Sequence, residues 1–190
     1  MKKLFCSLFI LFSIFTSIFS NENLISFNAG LSSGLLFYGE NSLPKEADNI
    51  DTNYRVIIGS LANINLNVIK QVSFYAGTDI LSDFNWKDNQ YSNHLHVTFP
   101  LGFKIYPGLG GFNLGLAYTL GFRTDFIRNA STRTSNIAAW GNGFKIQMEY
   151  NFAHDNDMDY LPSVGCSWNL MPRGNYSYDN IITFYITENF

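Results

Sequence analysis

The segment "YSNHLH" contains the side chains of this sequence that are best suited to chemistry. It places Ser92, His94 and His96 at alternate positions, so an extended chain would direct all three to the same face. A histidine can serve as a general base, and it activates a serine nucleophile that lies beside it. The spacing therefore predicts either a hydrolytic site or a set of polar side chains that hydrogen-bond to one another.

Charged side chains that could complete such a site are expected on the neighbouring strands. If the polar segment before "YSNHLH" forms a hairpin loop, Asp79 lies near His96 on the adjacent strand. Arg123 and Asp125 then lie near His94 across the following hairpin. Serine, histidine and a carboxylate within reach of one another are the parts of a hydrolytic triad. The alternative interpretation is a hydrogen-bonded plug of inward polar residues.

The two histidines also suggest a metal site, since imidazole is a common metal ligand. No further histidine or cysteine supports one, because His154 is expected in a turn at the opposite end of the strands. The sequence therefore predicts neither a metal site nor a cofactor.

The N-terminus has the pattern of a secretory signal. Lys2 and Lys3 precede an apolar run over residues 4–19, and the small residue Ser20 follows it. The run is shorter than the roughly 20 apolar residues that a spanning helix needs. We therefore expect a signal peptide over residues 1–20 and one domain over residues 21–190.

Removal of the signal changes the charge and the cysteine count. Loss of Lys2 and Lys3 leaves 10 of the 12 basic residues against 15 acidic ones, a net charge of −5. An acidic chain of this kind argues against a nucleic-acid partner, because phosphate binding requires a basic face. Cys166 is then the single cysteine, so no internal disulfide is expected.

The elements that must position these residues are strands in which apolar residues alternate with small or polar ones. In "GFNLGLAYTLGFRTDF" the apolar parity runs from Phe112 to Phe126, and the other parity carries Gly, Thr, Arg123 and Asp125. Eight such segments are predicted, at residues 24–38, 53–67, 71–83, 91–106, 111–126, 137–153, 159–170 and 178–190. Short connections near 68–70, 107–110 and 154–158 alternate with mostly longer ones at 39–52, 84–90, 127–136 and 171–177.

An even number of alternating segments with short turns at one end and longer loops at the other is the pattern of an outer-membrane barrel. A soluble lipocalin-like barrel, with its apolar face inside, is the alternative. Three features favour the membrane barrel: strand length, a glycine-rich polar face with charges of both signs, and aromatic residues near the strand ends. The predicted interior polar cluster is Arg55, Asp79, His94, His96, Lys104, Arg123, Lys145 and Glu149. The aromatic residues near strand ends are Phe37, Tyr38, Phe84, Trp86, Phe126, Trp140, Tyr150 and Phe152.

The segment "IITFYITENF" resembles the C-terminal strand of outer-membrane barrel proteins, in which an aromatic residue follows alternating apolar residues. Ile182, Phe184, Ile186 and Phe190 match that pattern, and Glu188 departs from it. The mature chain as a whole resembles the small eight-stranded families, the OmpA transmembrane domain, OmpX and OmpW. The resemblance implies an all-β, up-and-down antiparallel barrel in the bacterial outer membrane. It also implies lipid and the barrel-insertion machinery as partners, with Phe190 as the assembly signal.

The function expected from this reading is non-enzymatic. An eight-stranded barrel has room only for its own side chains, so the interior charges predict a plugged barrel. Its role would be structural, or it would engage an external ligand or host molecule through the acidic loop 39–52 and the basic loop 127–136. Two alternatives remain open: a conduit for small apolar solutes like OmpW, and a lipid-modifying enzyme similar to the lipid A deacylases and palmitoyltransferases of outer membranes.

Overall fold

The computed structural model describes residues 24–39, 54–88, 90–128, 133–137, 140–153, 161–172 and 178–190. The predicted signal peptide, the turn at 154–158 and all of the predicted loop 39–52 except Gly39 lie outside these residues. Within the described part of the chain, no helix has the length and apolarity required to cross a membrane.

Nine strands account for most of the described residues. They are β1 Ile25–Phe37, β2 Tyr54–Ile69, β3 Val72–Lys87, β4 Gln90–Ile105, β5 Phe112–Arg128, β6 Arg133–Ile137, β7 Gly141–Asn151, β8 Ser163–Pro172 and β9 Tyr178–Asn189. The alternating sequence explains them, because β-branched and aromatic residues at every second position suit a chain with two different faces.

The strands close into an antiparallel barrel of eight positions. The pairing runs β4-β3-β2-β1-β9-β8-β7-β5, and the further pairing of β4 with β5 closes the ring. The seam between β1 and β9 extends past β9 at Phe190, whose amide donates to the carbonyl of Phe27 at 2.7 Å. The structure thus confirms the predicted all-β, eight-stranded, up-and-down barrel.

The sixth barrel position differs in detail from the predicted strand. The expected strand over 137–153 corresponds to the shorter β7, and of β6 only Ile137 falls within the predicted bounds. Both β6 and β7 pair with β5. Thr124 pairs with Ile137 while Gly121 pairs with Gly141, so the register shifts between the two segments. Such a shift is the mark of an irregularity inserted in one strand of a pair.

Two predicted loops are shorter than expected. The predicted loop 84–90 is a tight turn, because β3 continues to Lys87, β4 starts at Gln90, and Trp86 pairs with Tyr91. Asp88 has a φ of 49° in this turn. The predicted loop 127–136 is mostly a hairpin, because Arg128 pairs with Arg133, and residues 129–132 lie outside the described residues. In both places, the pairing between strands continues beyond the alternating segments that were predicted as strands.

The two faces of the wall have opposite chemistry. Outward positions carry large apolar side chains that are exposed, among them Phe99, Leu114, Leu116, Phe144 and Ile146. Inward positions are dominated by buried polar and charged side chains. This distribution excludes the lipocalin-like alternative, in which the apolar face would be the inner one.

Aromatic residues gather near both ends of the outer wall. Tyr54 stacks on Trp86 at the end with the longer connections, with ring centroids 5.7 Å apart. Phe27 and Phe190 meet at the end with the short turns, at 6.1 Å. Tyr38 does not belong to this set, contrary to prediction, because its ring points inward and contacts His94 and His96. Tyr38 points inward because it continues the alternation of β1 at an inward-facing position.

Candidate functional site: the interior polar network

The eight residues of the predicted interior polar cluster all lie at inward-facing positions. Six of them are buried, whereas the Arg55 and Asp79 side chains are 42% and 22% exposed. The structure divides the cluster among three levels of the barrel. One group lies near the end with the longer connections, one at mid-height, and one near the end with the short turns.

Arg123 is the centre of the first group. Its Nε lies 2.9 Å from Asp125 Oδ1, and its Nη1 lies 2.7 Å from Asp179 Oδ2. All three side chains are less than 5% exposed. The guanidinium also lies over the ring of Tyr38, 5.3 Å from its centroid. One cation therefore compensates two buried carboxylates, and its removal would leave both without their main partner.

The histidines complete this group. His94 Nδ1 lies 2.8 Å from Asp125 Oδ1, as the sequence predicted. Its ring meets Tyr38 edge-on, and His96 stacks on the same Tyr38 ring at 5.8 Å. The rings and the ion pairs form one contiguous network, so a change at one member is expected to affect the others.

Tyr38 links the network to Arg55. Its hydroxyl donates to Asp83 Oδ2 at 2.5 Å, and Arg55 holds the same carboxylate through Nε at 2.9 Å and Nη2 at 2.8 Å. Burial raises the pKa of the Tyr38 phenol, and the adjacent Asp83 carboxylate raises this pKa further. The phenol therefore keeps its proton and acts as a donor to Asp83.

The mid-height group joins strands that are not neighbours in the barrel. Lys145 of β7 reaches Asp79 of β3 across the interior, with 2.6 Å between Nζ and Oδ2. A cavity of about 20 Å³ beside this pair is lined in part by His96 and Thr98. That volume has room for only one or two water molecules, so side chains fill the barrel at this level.

The third group faces the short turns. Lys104 Nζ lies 3.2 Å from Glu149 Oε1, and the Asn113 side-chain amide donates to the same oxygen at 3.1 Å. Lys104 also lies over the ring of Tyr75, 5.7 Å from its centroid. Each interior cation that the sequence predicted thus has a carboxylate partner in the structure.

The triad geometry is only half present. The pair of His94 and Asp125 supplies an oriented base, but no hydrogen bond joins Ser92 to His94 or to His96 among the described residues. Asp79 and His96 both line the mid-height cavity, but they are not directly opposite each other, because the ladder partner of Asp79 lies two residues beyond His96 on β4. Asp79 pairs with Thr98, and the β3 residue opposite His96 is Leu81. The tight turn at Asp88 sets this register, where a longer loop was expected.

The described residues contain no group of three or more histidine, cysteine or acidic side chains arranged to hold a metal ion. Cys166 is a free thiol on the wall of the barrel.

Three members of the network were not identified from the sequence: Tyr38, Asp83 and Asp179. Asp83 shares the inward parity of Asp79 in the same strand, so extension of that strand would have placed it inside. Asp179 shares the parity of Ile181 in β9. Parity was therefore a sufficient signal for both acids, whereas nothing local shows that Arg55 holds Asp83 or that Arg123 holds Asp179.

Comparison with known proteins supports the fold alone. No protein-family model and no curated protein matches this chain. Among solved structures, it is similar to the attachment invasion locus protein Ail of Yersinia pestis, with a TM-score of 0.61 and 7% identity over 87% of this chain and 97% of Ail. A complex of Ail with the heparin analogue sucrose octasulfate gives a TM-score of 0.60 at the same identity and coverage. Neisserial surface protein A gives 0.52, with 8% identity over 87% of this chain and 97% of the other. The chain has the fold of small eight-stranded outer-membrane barrels, as its sequence resemblance implied.

Proposed function

We propose that this chain is a bacterial outer-membrane barrel protein with a plugged, non-enzymatic interior. The observation that carries the proposal is the inverted distribution of polarity: charged side chains are buried inside and large apolar side chains cover the outside. In water such a surface would be a severe aggregation hazard. In a bilayer the same surface is the favourable one, and a closed barrel leaves no unpaired strand edge.

Strand length agrees with this placement. A transmembrane strand needs roughly 9–11 residues, and the complete strands β1 to β5 have 13 to 17. The excess would project beyond the bilayer at the end with the longer connections. Export through the predicted signal peptide at 1–20 is part of the same proposal.

The ion pairs argue against a conduit. A channel for apolar solutes would need an apolar inner path, whereas Arg123, Lys145 and Lys104 cross the interior at three levels with their acidic partners. The lipid-modifying alternative is supported only by the pair of His94 and Asp125. That pair has a structural role already, because Asp125 also holds Arg123.

We expect the purified wild-type protein to show no steady conductance in planar bilayers. The reason is the filled mid-level of the barrel, where Lys145 meets Asp79 beside a cavity of only about 20 Å³. The measurement is single-channel recording, with a protein of known pore size as positive control. A stable open channel of a single size would contradict the plugged interior and favour the conduit.

The outer connections are the surfaces that remain for external partners. We propose that loops 39–52 and 127–136 engage environmental or host molecules, because loops carry function on rigid scaffolds. In the described part of these segments, the Gly39 amide donates to Asp179 at 3.3 Å, which ties the start of the first loop to the buried network.

The insertion machinery is the proposed partner of β9. Phe184 and Ile186 face outward with Phe190, whose side chain is 70% exposed. Phe190→Ala should lower the amount of protein in the outer membrane several-fold while leaving refolding in detergent unchanged, because the Phe190 side chain is largely exposed. Fractionation after a pulse of expression measures it. Equal membrane levels of variant and wild type would refute a role for Phe190 in recognition.

A further inference from the structure

Two polar side chains lie side by side on the apolar outer wall. The side-chain amide of Asn142 donates to the Tyr118 hydroxyl at 2.9 Å. Tyr118 of β5 is 51% exposed, and Asn142 of β7 is exposed as well. Large apolar side chains stand opposite them in the ladder, Phe144 opposite Tyr118 and Leu120 opposite Asn142. We call Tyr118 and Asn142 the wall pair.

The membrane placement proposed above puts the wall pair in the hydrocarbon layer. Tyr118 lies between Leu116 and Leu120 on the outer face of β5, and these two leucines are 44% and 45% exposed. The interior of a bilayer holds no water that could complete their hydrogen bonds. Polar groups at this depth therefore favour a partner that supplies donors and acceptors.

The hydrogen bond within the wall pair leaves both a donor and an acceptor unused. The Tyr118 oxygen accepts from Asn142 and keeps its own O–H to donate, while Asn142 keeps Oδ1 as an acceptor. Among the described residues, neither side chain makes a second hydrogen bond. Exchange of the amide oxygen and nitrogen of Asn142 would not alter this, because the pair would again keep donors and acceptors.

The unused groups are self-complementary. A second copy of the chain, related by a two-fold axis, would bring its Asn142 oxygen to the Tyr118 hydroxyl of the first copy, and the reverse contact would follow from symmetry. Barrels that insert in one direction share an axis along the membrane normal, so groups that meet must lie at similar depth. The Asn142 nitrogen and the Tyr118 oxygen are 2.9 Å apart, so they meet this condition.

Aromatic rings border the wall pair. The Trp140 indole is 61% exposed and stacks on Phe99, with ring centroids 6.0 Å apart. It also contacts Phe122 at 5.1 Å. The indole therefore reaches across β5 to a residue of β4, and the three rings hold one another in place. Aromatic side chains are enriched in protein interfaces, and pre-ordered ones lose little freedom on association.

We propose, on the basis of the membrane placement above, that the wall pair and Trp140 form the centre of a dimer interface within the membrane, with a second copy of this chain as the partner. In the dimer, each Tyr118 hydroxyl donates to the Asn142 oxygen of the other copy. A lipid acyl chain is the poorer occupant, because a hydrocarbon offers neither donor nor acceptor to the wall pair.

Energy transfer between labelled copies of the full chain in lipid vesicles measures the association. Cys166→Ser removes the free thiol, and Leu109→Cys carries the donor or acceptor dye in an exposed short turn. Only protein that floats with the vesicles is measured. We expect energy transfer that falls when lipid is added to dilute the protein, and that falls also when excess unlabelled protein competes. Both responses are those of a reversible dimer.

Two outward-facing asparagines provide the matched comparison. Asn142→Leu should weaken the dimer about ten-fold or more, because both reciprocal hydrogen bonds are lost. Asn180→Leu should leave the dimer within about two-fold. The Asn180 oxygen already accepts from the Trp168 indole at 3.3 Å, and β9 lies two positions from β7 around the barrel. Both variants must retain the heat-dependent gel shift of the folded barrel; if Asn142→Leu fails to fold, Tyr118→Phe takes its place.

The possible failures of this experiment are distinguishable. Absence of the folded barrel from the floated vesicles would overturn the membrane placement and the dimer together. Floated barrels that remain monomeric, with the wall pair facing lipid alone, would overturn the dimer but not the placement. Equal weakening by Asn142→Leu and Asn180→Leu would also overturn the proposed interface.

Discussion

Replacement of Arg123 by alanine should destabilise the folded barrel by about 3–5 kcal/mol. The buried carboxylates of Asp125 and Asp179 would then lose the guanidinium that lies 2.9 Å and 2.7 Å from them. Tyr38 would lose its contact with the same cation. The measurement is urea unfolding in lipid vesicles, followed by the heat-dependent gel shift.

The matched control is Arg55→Ala. Arg55 also pairs with an acid, Asp83, and its own side chain is 42% exposed although Asp83 is fully buried. Its loss affects one buried carboxylate instead of two, and that carboxylate keeps the Tyr38 hydroxyl as a donor, so the effect should be smaller than that of Arg123→Ala. Asp179→Asn in the Arg123→Ala background should recover part of the loss, because it removes one uncompensated charge. Equal destabilisation by the two arginine variants would contradict the central role of Arg123.

An arginine at Leu116 should have the next largest effect, about 2–4 kcal/mol in a bilayer. Leu116 is 44% exposed on the outer wall, between Phe103 of β4 and Ile146 of β7. A charge there would have to enter the hydrocarbon layer. Unfolding of Leu116→Arg in lipid vesicles measures the loss.

Ile105→Arg is the control for this prediction. Ile105 is 43% exposed at the end of β4, next to a short turn, where a charge near the membrane interface should cost only about 0–1 kcal/mol. Because Leu116 and Ile105 are similarly exposed but lie at different depths, the comparison isolates the effect of the bilayer. Equal costs at the two positions would show that depth in a membrane does not matter, and would contradict the proposed placement.

Alternation in the sequence was sufficient to predict the fold and the inward position of all eight cluster residues. Side chains of a strand alternate between its two faces whatever the partner strands are. The inward or outward position of a residue can therefore be predicted even where the predicted ends of the strand are wrong. The pair of His94 and Asp125 was also predictable, because a short hairpin places them opposite each other.

Contacts across the interior could not be predicted in the same way. Lys145 and Asp79 lie on strands that are not adjacent, and their meeting depends on the closure and stagger of the whole barrel. The same holds for Arg123 and Asp179, which are 56 positions apart. The register shift between β6 and β7 has no clear local signal in the sequence, since the nearest glycines, Gly141 and Gly143, lie within β7 itself.

The central claim is that the apolar outer wall lies in a membrane. Nitroxide labels at Phe99 and Leu116, in protein reconstituted into lipid vesicles, test it directly through collision with oxygen and with a water-soluble nickel chelate. A label at Leu109, exposed in the short turn between β4 and β5, gives the value for water. We predict that both wall labels collide mainly with oxygen and little with nickel. Nickel collision at Phe99 and Leu116 equal to that at Leu109 would show that the wall faces water, and would contradict the claim.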